Sequence, residues 1–254
     1  MAVLNIFTDA SIITNSKGVT IGCAGFVSTV GIYDTYCCPD NESGVYERKF
    51  QILYDSTNNQ SESIAVFLGV MHAVENRQYF DRINLISDSQ WCIFSLIKWL
   101  NNWIYTIDSN GQMYSTSGPV KNQNVFEQIV RLVVDTNLPI NFYHCKGHVN
   151  GSNLNKALNT FMVSNVFKRE DLRQYAQNLN PSISEMDIIR WMADYNDQVD
   201  QGTRNVLLIP DHPNHIRYLE TMTSGFLPFR YKLTPTDVQK FQQLTSGRKE
   251  LRFC

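Results

Sequence analysis

Two apolar β-like stretches that each run into an aspartate constrain the fold of this chain more than any other feature. The first is "NIFTDAS" at residues 5–11, and the second is "INLISDSQW" at residues 83–91. A strand of this kind carries its carboxylate toward the interior, where an ionised group needs a partner or becomes protonated. The two strand ends therefore predict a shared counter-charge at Asp9 and Asp88.

The order of the predicted elements indicates an α/β fold with a five-stranded mixed sheet flanked by helices. Strands are predicted at residues 3–11, 20–29, 45–54, 83–87 and 140–145, and helices at residues 61–74, 90–103 and 125–136. The connections between the first strands carry the turn residues of "NSKG" and "PDNESG".

The chain changes character near residue 166. Helices are predicted at residues 168–180, at residues 182–199 and from Pro235 onward. The second helix begins with a Ser182–Glu185 capping box, and Thr234 caps the third. A short strand is predicted at "NVLLIP". We therefore predict two domains, one at residues 1–165 and an accessory, mostly helical one at residues 166–254.

Composition limits the classes of function. The chain has 254 residues, 43% of them hydrophobic, which is enough for a proper core. Its net charge is −2, and residues 1–165 hold 10 Lys and Arg against 13 Asp and Glu, so any nucleic-acid binding must depend on local geometry and metal. No apolar run reaches about 18 residues and no leader is evident, so we predict an intracellular, cytoplasmic protein that does not bind membranes.

A third acid joins the two aspartates. Glu62 lies at the start of the helix predicted after the third strand, and adjacent strands are about 5 Å apart, so its carboxylate can approach theirs. Converging carboxylates repel one another unless cations bind, and oxygen ligands favour Mg²⁺ or Mn²⁺. The alternative is that each Asp caps a turn and that Glu62 serves the helix dipole.

Several motifs accompany these acids in a fixed order. They are "FTDAS" at the start, "TNNQSE", "DSQ", "WLNNW", "PVKN" and "KGHVNGSNLNKALNTF". In this order and spacing they resemble type 1 ribonuclease H over about residues 1–165. The resemblance implies an RNase H-like fold and an endoribonuclease that uses two Mg²⁺ ions, with Mn²⁺ as a substitute, to cut the RNA strand of an RNA–DNA hybrid. The implied products carry a 5′-phosphate and a 3′-hydroxyl.

The same resemblance implies roles for the acids and for one histidine. Asp9, Glu62 and Asp88 would be metal ligands, and His148 would assist proton transfer or product release, although a plain polar loop residue is the alternative. The family places an Asp at the fourth metal position, where this chain has Asn159. An amide brings no charge, so the affinity for metal and the rate of cleavage should fall. Asn159 is interpreted either as an introduced Asp→Asn change or as a natural departure.

Substrate contacts are implied in the same way. The RNA strand would be contacted by Asn15, Asn58, Asn59 and Gln90, a DNA phosphate by Thr57, Asn102 and Asn122, and a deoxyribose by Trp103. Trp99 either shares this ridge or packs against its neighbours.

Other functions stay open. The loop "WIYTIDSNGQMYSTSGPVKN" holds a single lysine, Lys121, so the first domain alone should bind weakly. Basic residues after residue 166 either compensate or form solvated helix faces, and this segment is a candidate site for a protein or nucleic-acid partner. The rivals are a catalytically weak binding module of the same fold and another DNA-processing nuclease of the superfamily.

Overall fold

The computed structural model describes residues 2–14, 18–32, 45–208, 232–246 and 251–253. Its centre is a five-stranded mixed sheet, in which the strand order is β3-β2-β1-β4-β7. The strands are β1 (Val3–Thr14), β2 (Thr20–Val30), β3 (Glu47–Tyr54), β4 (Arg82–Ser87) and β7 (Ile140–His144). β2 pairs antiparallel with β1 and β3, whereas β1, β4 and β7 are parallel. The predicted mixed sheet is confirmed.

Helices cover both faces of this sheet. They are α1 (Asn58–Asn76), α2 (Gln90–Phe94), a π-helical turn (Ser95–Trp99), α3 (Leu100–Trp103), α4 (Gln123–Asp135), α5 (Leu154–Asn165), α6 (Arg169–Leu179), α7 (Glu185–Leu208) and α8 (Pro235–Ser246). A small hairpin of β5 (Tyr114–Ser115) and β6 (Gly118–Pro119) lies between α3 and α4. None of the described helices is long and apolar enough to cross a bilayer.

The alternation of strand residues builds two hydrophobic cores. Ile6 of β1 joins the core under α1, α4 and α8, while its neighbour Phe7 joins the core under α5, α6 and α7. Helices from beyond residue 165 thus contribute to both cores, through Phe241 on one face and Trp191 on the other. The division into residues 1–165 and 166–254 stays a prediction.

A ladder of buried asparagines holds the last described residues. Asn5, Asn84 and Asn141 occupy paired positions of β1, β4 and β7, and their side-chain amides donate along the row at 2.8 and 3.0 Å. Asn84 Nδ2 also donates to the Arg252 carbonyl at 2.8 Å, and Asn5 Nδ2 donates to the Phe253 carbonyl at 3.0 Å. Arg252 and Phe253 are therefore held at the centre of the sheet.

The starts of the last helices test the capping predictions. α8 begins as predicted, because Asp237 N donates to Thr234 Oγ1 at 3.2 Å and the Asp237 carboxylate accepts from Thr234 N. The Ser182–Glu185 box is wrong. The reciprocal bonds join Ser184 and Asp187 instead, since the carboxylate of Glu185 pairs with an arginine at 2.9 Å.

The predicted strand at "NVLLIP" is also wrong for the part that the structure describes. α7 continues to Leu208, whereas residues 209–210 lie outside the described chain. The reason is the spacing of the buried residues, because Val199, Thr203 and Leu207 repeat at four-residue intervals and keep one helix face on the sheet.

Candidate metal centre and nucleic-acid groove

The sheet register brings two of the predicted acids together. Thr8 of β1 pairs with Ser87 at the end of β4, so that Asp9 and Asp88 occupy the next positions on neighbouring parallel strands. Asp9 lies within β1 instead of at its end, because β1 continues alongside β2 to Thr14. The two aspartates therefore meet where the parallel pairing stops.

Glu62 completes the cluster from α1. It lies one turn further into the helix than predicted, since α1 begins at Asn58. Ligand oxygens of Asp9, Glu62 and Asp88 all lie within 4.8 Å of one another. Glu62 is 7% exposed, and its Oε2 atom is buried without a hydrogen-bond partner among the described residues.

Burial makes this cluster hard to ionise without a cation. Burial, together with the negative charge of Asp88, raises the pKa of Asp9 from 3.8 to about 8. The pKa of Glu62 lies well above its ordinary value through burial and through the charges of Asp9 and Asp88. An all-oxygen donor set with an unsatisfied buried oxygen fits a hard divalent ion such as Mg²⁺ or Mn²⁺.

The "KGH" loop closes one side of the cluster. A side chain at Gly147 would clash with Oδ2 of Asp88, so this position requires glycine. The next residue, His148, has a left-handed backbone (φ 50°) and a side chain that is 69% exposed. Asn153 Nδ2 donates to the His148 carbonyl at 3.0 Å and fixes the loop. The imidazole is thus placed beside the carboxylates but remains open to a ligand.

Helix α7 contributes residues to the site that were not predicted from the sequence. Asn196 donates from Nδ2 to Oδ2 of Asp88 at 3.3 Å, and this bond opposes the rise that burial causes in the pKa of Asp88. Asp200 and Arg204 line the same cavity as the three carboxylates, together with Asn58 and His148. The detectable signal was the four-residue spacing of Asn196, Asp200 and Arg204 in a helical stretch.

Comparison with known proteins decides the family. The RNase H family model matches residues 1–165. The chain belongs to the RNase H family. Its sheet and flanking helices form an RNase H-like fold, with further helices toward the C-terminus. No curated protein matches the chain.

Similar solved structures share low sequence identity with this RNase H family member. The PFV RNase H domain is 21% identical, with 63% of this chain and 90% of that chain covered and a TM-score of 0.44. LC11-RNase H1 in complex with an RNA/DNA hybrid is 15% identical. The match covers 56% of this chain and 85% of that chain, with a TM-score of 0.35. A Prototype Foamy Virus protease-reverse transcriptase is 19% identical, with 79% of this chain covered and a TM-score of 0.45. This chain spans 20% of that longer one.

The residue predicted for the fourth metal position of an RNase H lies elsewhere. Asn159 is an exposed residue of α5, whose buried face consists of Leu154, Ala157, Leu158 and Phe161. At 100° per residue, Asn159 lies on the opposite side of the helix from this face. It does not line the cavity that the three carboxylates share, so its interpretation as a metal ligand has no geometric support.

The predicted substrate residues divide between two adjoining surfaces. Asn58 lines the carboxylate cavity, and Asn59 lines a neighbouring groove with Trp99, Asn102 and Trp103. The hairpin of β5 and β6 forms the other wall of this groove, which also includes Lys121. The rings of Trp99 and Trp103 are 5.8 Å apart and both are half-buried, so Trp99 packs against its neighbour and also faces the groove.

Of the other four predicted contacts, the three that the structure describes do not line the groove. Thr57 caps α1 and accepts from Gln60 N at 3.3 Å, and Asn122 precedes α4 with a left-handed backbone. Gln90 is exposed at the start of α2. Asn15 lies outside the described residues. Their roles toward a substrate stay predictions.

Proposed function

We propose that this chain is an endoribonuclease that cuts the RNA strand of RNA–DNA hybrids with the help of divalent cations, Mg²⁺ or Mn²⁺ as its substitute. The observation that carries the proposal is the convergence of Asp9, Glu62 and Asp88 within 4.8 Å, with a buried Glu62 oxygen left without a partner. Family membership supports hydrolysis of a phosphodiester, and the hybrid bound by LC11-RNase H1 supports the class of substrate.

Each residue of the site has a defined task in this proposal. Asp9, Glu62 and Asp88 would hold two divalent ions, and Asn196 would keep the Asp88 carboxylate oriented. When bound, such ions supply activation of the attacking water and charge stabilisation at the leaving 3′-oxygen, which leaves a 5′-phosphate on the product. The exposed imidazole of His148 would move a proton at the leaving oxygen or assist product release.

Substrate selection would depend on the groove next to the carboxylates. Recognition of a hybrid requires contacts to 2′-hydroxyls on one strand and to deoxyribose on the other. Asn58 and Asn59 offer uncharged amide donors and acceptors at the start of α1, beside the metal site. Trp103 would pack on a deoxyribose, where a 2′-hydroxyl would clash. The RNA strand would then lie over the carboxylates.

The test is a comparison of the cleavage of four nucleic-acid substrates. An RNA–DNA hybrid, a duplex RNA, a duplex DNA and a branched DNA of the same sequence are incubated with Mg²⁺, with each strand labelled in turn. We expect cleavage of the RNA strand of the hybrid and of none of the other substrates. Binding of the hybrid without cleavage would favour a binding module, and cleavage of branched or duplex DNA would favour another nuclease of the superfamily.

A further inference from the structure

The long helix α7 lies along β1 in a fixed register. The ring of Phe7 stacks on Tyr195 with centroids 5.3 Å apart, and four residues later Ser11 Oγ lies 2.9 Å from Thr203 Oγ1. Four strand residues advance about 13 Å and eight helical residues about 12 Å. The strand and the helix therefore cover nearly the same distance between these two contacts.

This register determines which residue of α7 lies opposite Asp9. Phe7, Asp9 and Ser11 share one face of β1, because alternate strand residues point to the same side. Asp9 is midway between the two contacts on the strand, and Asp200 is between them on the helix. The Asp200 side chain is 13% exposed and lines the cavity that the three other carboxylates share.

The surroundings of Asp200 agree with a position inside the metal site. Its Oδ2 lies 3.8 Å from His148 Nδ1, and its Oδ1 accepts from Arg204 Nε at 2.7 Å. The negative charge of Asp200 contributes to the raised pKa of Asp9, Glu62 and Asp88. An independent observation points to a ligand in the same cavity, because Glu62 is more than nine-tenths buried and its Oε2 has no partner among the described residues.

We propose that Asp200 supplies the fourth carboxylate of the metal site, which the family pattern would place at Asn159. The inference rests on the proposed function, since it adds a residue to the same site. The carboxylate comes from a helix beyond the 165 residues that the family model matches. Helix α7 is then part of the active site, and an amide at Asn159 does not disable the chain.

The experiment measures Mn²⁺ binding to the full-length chain by titration calorimetry, so that it does not depend on turnover. Asp200→Asn is compared with wild type and with Asp194→Asn, which changes an exposed aspartate of the same helix. We expect Asp200→Asn to weaken Mn²⁺ binding by about tenfold or more, whereas Asp194→Asn stays within about twofold of wild type. Equal affinities of Asp200→Asn and wild type would overturn the inference.

Thermal unfolding in EDTA separates a ligand from a structural ion pair. A metal-ligating carboxylate that lies among other carboxylates destabilises the metal-free protein. Asp200→Asn should therefore keep or raise the Tm in EDTA. A lower Tm together with an unchanged Mn²⁺ affinity would show that Asp200 only pairs with Arg204. If Asp200→Asn does not fold, Asp200→Glu keeps the charge, and the inference requires its displaced carboxylate to weaken Mn²⁺ binding.

Two further outcomes keep this inference distinct from the proposed function. If wild type binds no Mn²⁺ and cuts no hybrid, the proposed function fails and the inference fails with it. If wild type binds Mn²⁺ and cuts the hybrid but Asn159→Asp tightens Mn²⁺ binding while Asp200→Asn leaves it unchanged, only the assignment of Asp200 fails.

Discussion

Asn196 of α7 donates a hydrogen bond from Nδ2 to Oδ2 of Asp88, with the two atoms 3.3 Å apart. The asparagine is 1% exposed, and its side-chain oxygen also faces the thiol of Cys145 at 3.7 Å. A residue 108 positions away in the sequence thus orients a predicted metal ligand. Such supporting bonds commonly contribute a factor of about 10 to 100 in metal affinity.

Removing this donor gives the first prediction. We expect Asn196→Ala to weaken Mn²⁺ binding by about tenfold, because the carboxylate of Asp88 loses the partner that orients it. The free energy of unfolding should fall by about 1–3 kcal/mol, since a buried hydrogen-bonding group is left without its partner. Titration calorimetry and urea unfolding measure the two effects. Asn205→Ala, at an exposed position of the same helix, should change neither.

The raised pKa of Asp9 predicts an unusual pH dependence for the metal-free protein. The unfolded chain releases this proton near the ordinary pKa of 3.8, but burial and the nearby Asp88 raise the native pKa to about 8. Between these values the native state binds more protons than the unfolded state, so its stability falls as the pH rises from about 4 to about 8.

Asp9→Asn tests this dependence by removing the titrating group. We expect the metal-free variant to be more stable than metal-free wild type near pH 8 and to lose less stability between about pH 5 and about pH 8. Urea unfolding of metal-depleted protein at the two pH values measures the difference. If the stability of wild type rises over this pH range, the raised pKa of the buried Asp9 carboxyl is contradicted.

The glycine of the "KGH" loop gives a prediction with a matched control. Because a side chain at Gly147 would meet Oδ2 of Asp88, Gly147→Ala must displace either the loop or the ligand. A displacement of about 1 Å in an active site costs up to about a hundredfold in rate, so we expect kcat for hybrid cleavage to fall by about ten- to a hundredfold.

Gly151→Ala is the control, since nothing lies within 4 Å of an added side chain at that position of the same loop. It should leave kcat within about twofold of wild type. An equal loss in both variants would assign the effect to loop flexibility instead of to contact with Asp88.

The sequence identified those parts of the fold and of the site that depend on local patterns. Strand alternation predicted the central sheet, and the motif order identified Asp9, Glu62 and Asp88 as candidate ligands. The structure places ligand oxygens of these three residues within 4.8 Å of one another. The motif places Asn159 at the fourth metal position, but a motif fixes a position along the chain and not the side of the helix that faces the site, and Asn159 is exposed. Asp200 could not be found in this way, since its place depends on the long-range packing of α7 on β1.

The predicted division at residue 165 is tested by a shorter chain. A chain that ends at Asn165 lacks Trp191, Tyr195 and Phe253, which cover Phe7 and Tyr143 on one face of the sheet. We expect this chain to lack a cooperative unfolding transition, because the exposed apolar face favours aggregation. Circular dichroism during heating measures this. A cooperative transition like that of the full chain would show that residues 1–165 form an independent domain.

The most direct measurement is the position of Mn²⁺ ions in crystals of the protein with a bound RNA–DNA hybrid, located by anomalous scattering. We predict ions within about 2.0–2.6 Å of carboxylate oxygens of Asp9, Glu62 and Asp88. They should lie against the scissile phosphate of the RNA strand. Ions bound elsewhere, or a hybrid that is cut while these carboxylates hold no ion, would contradict the account.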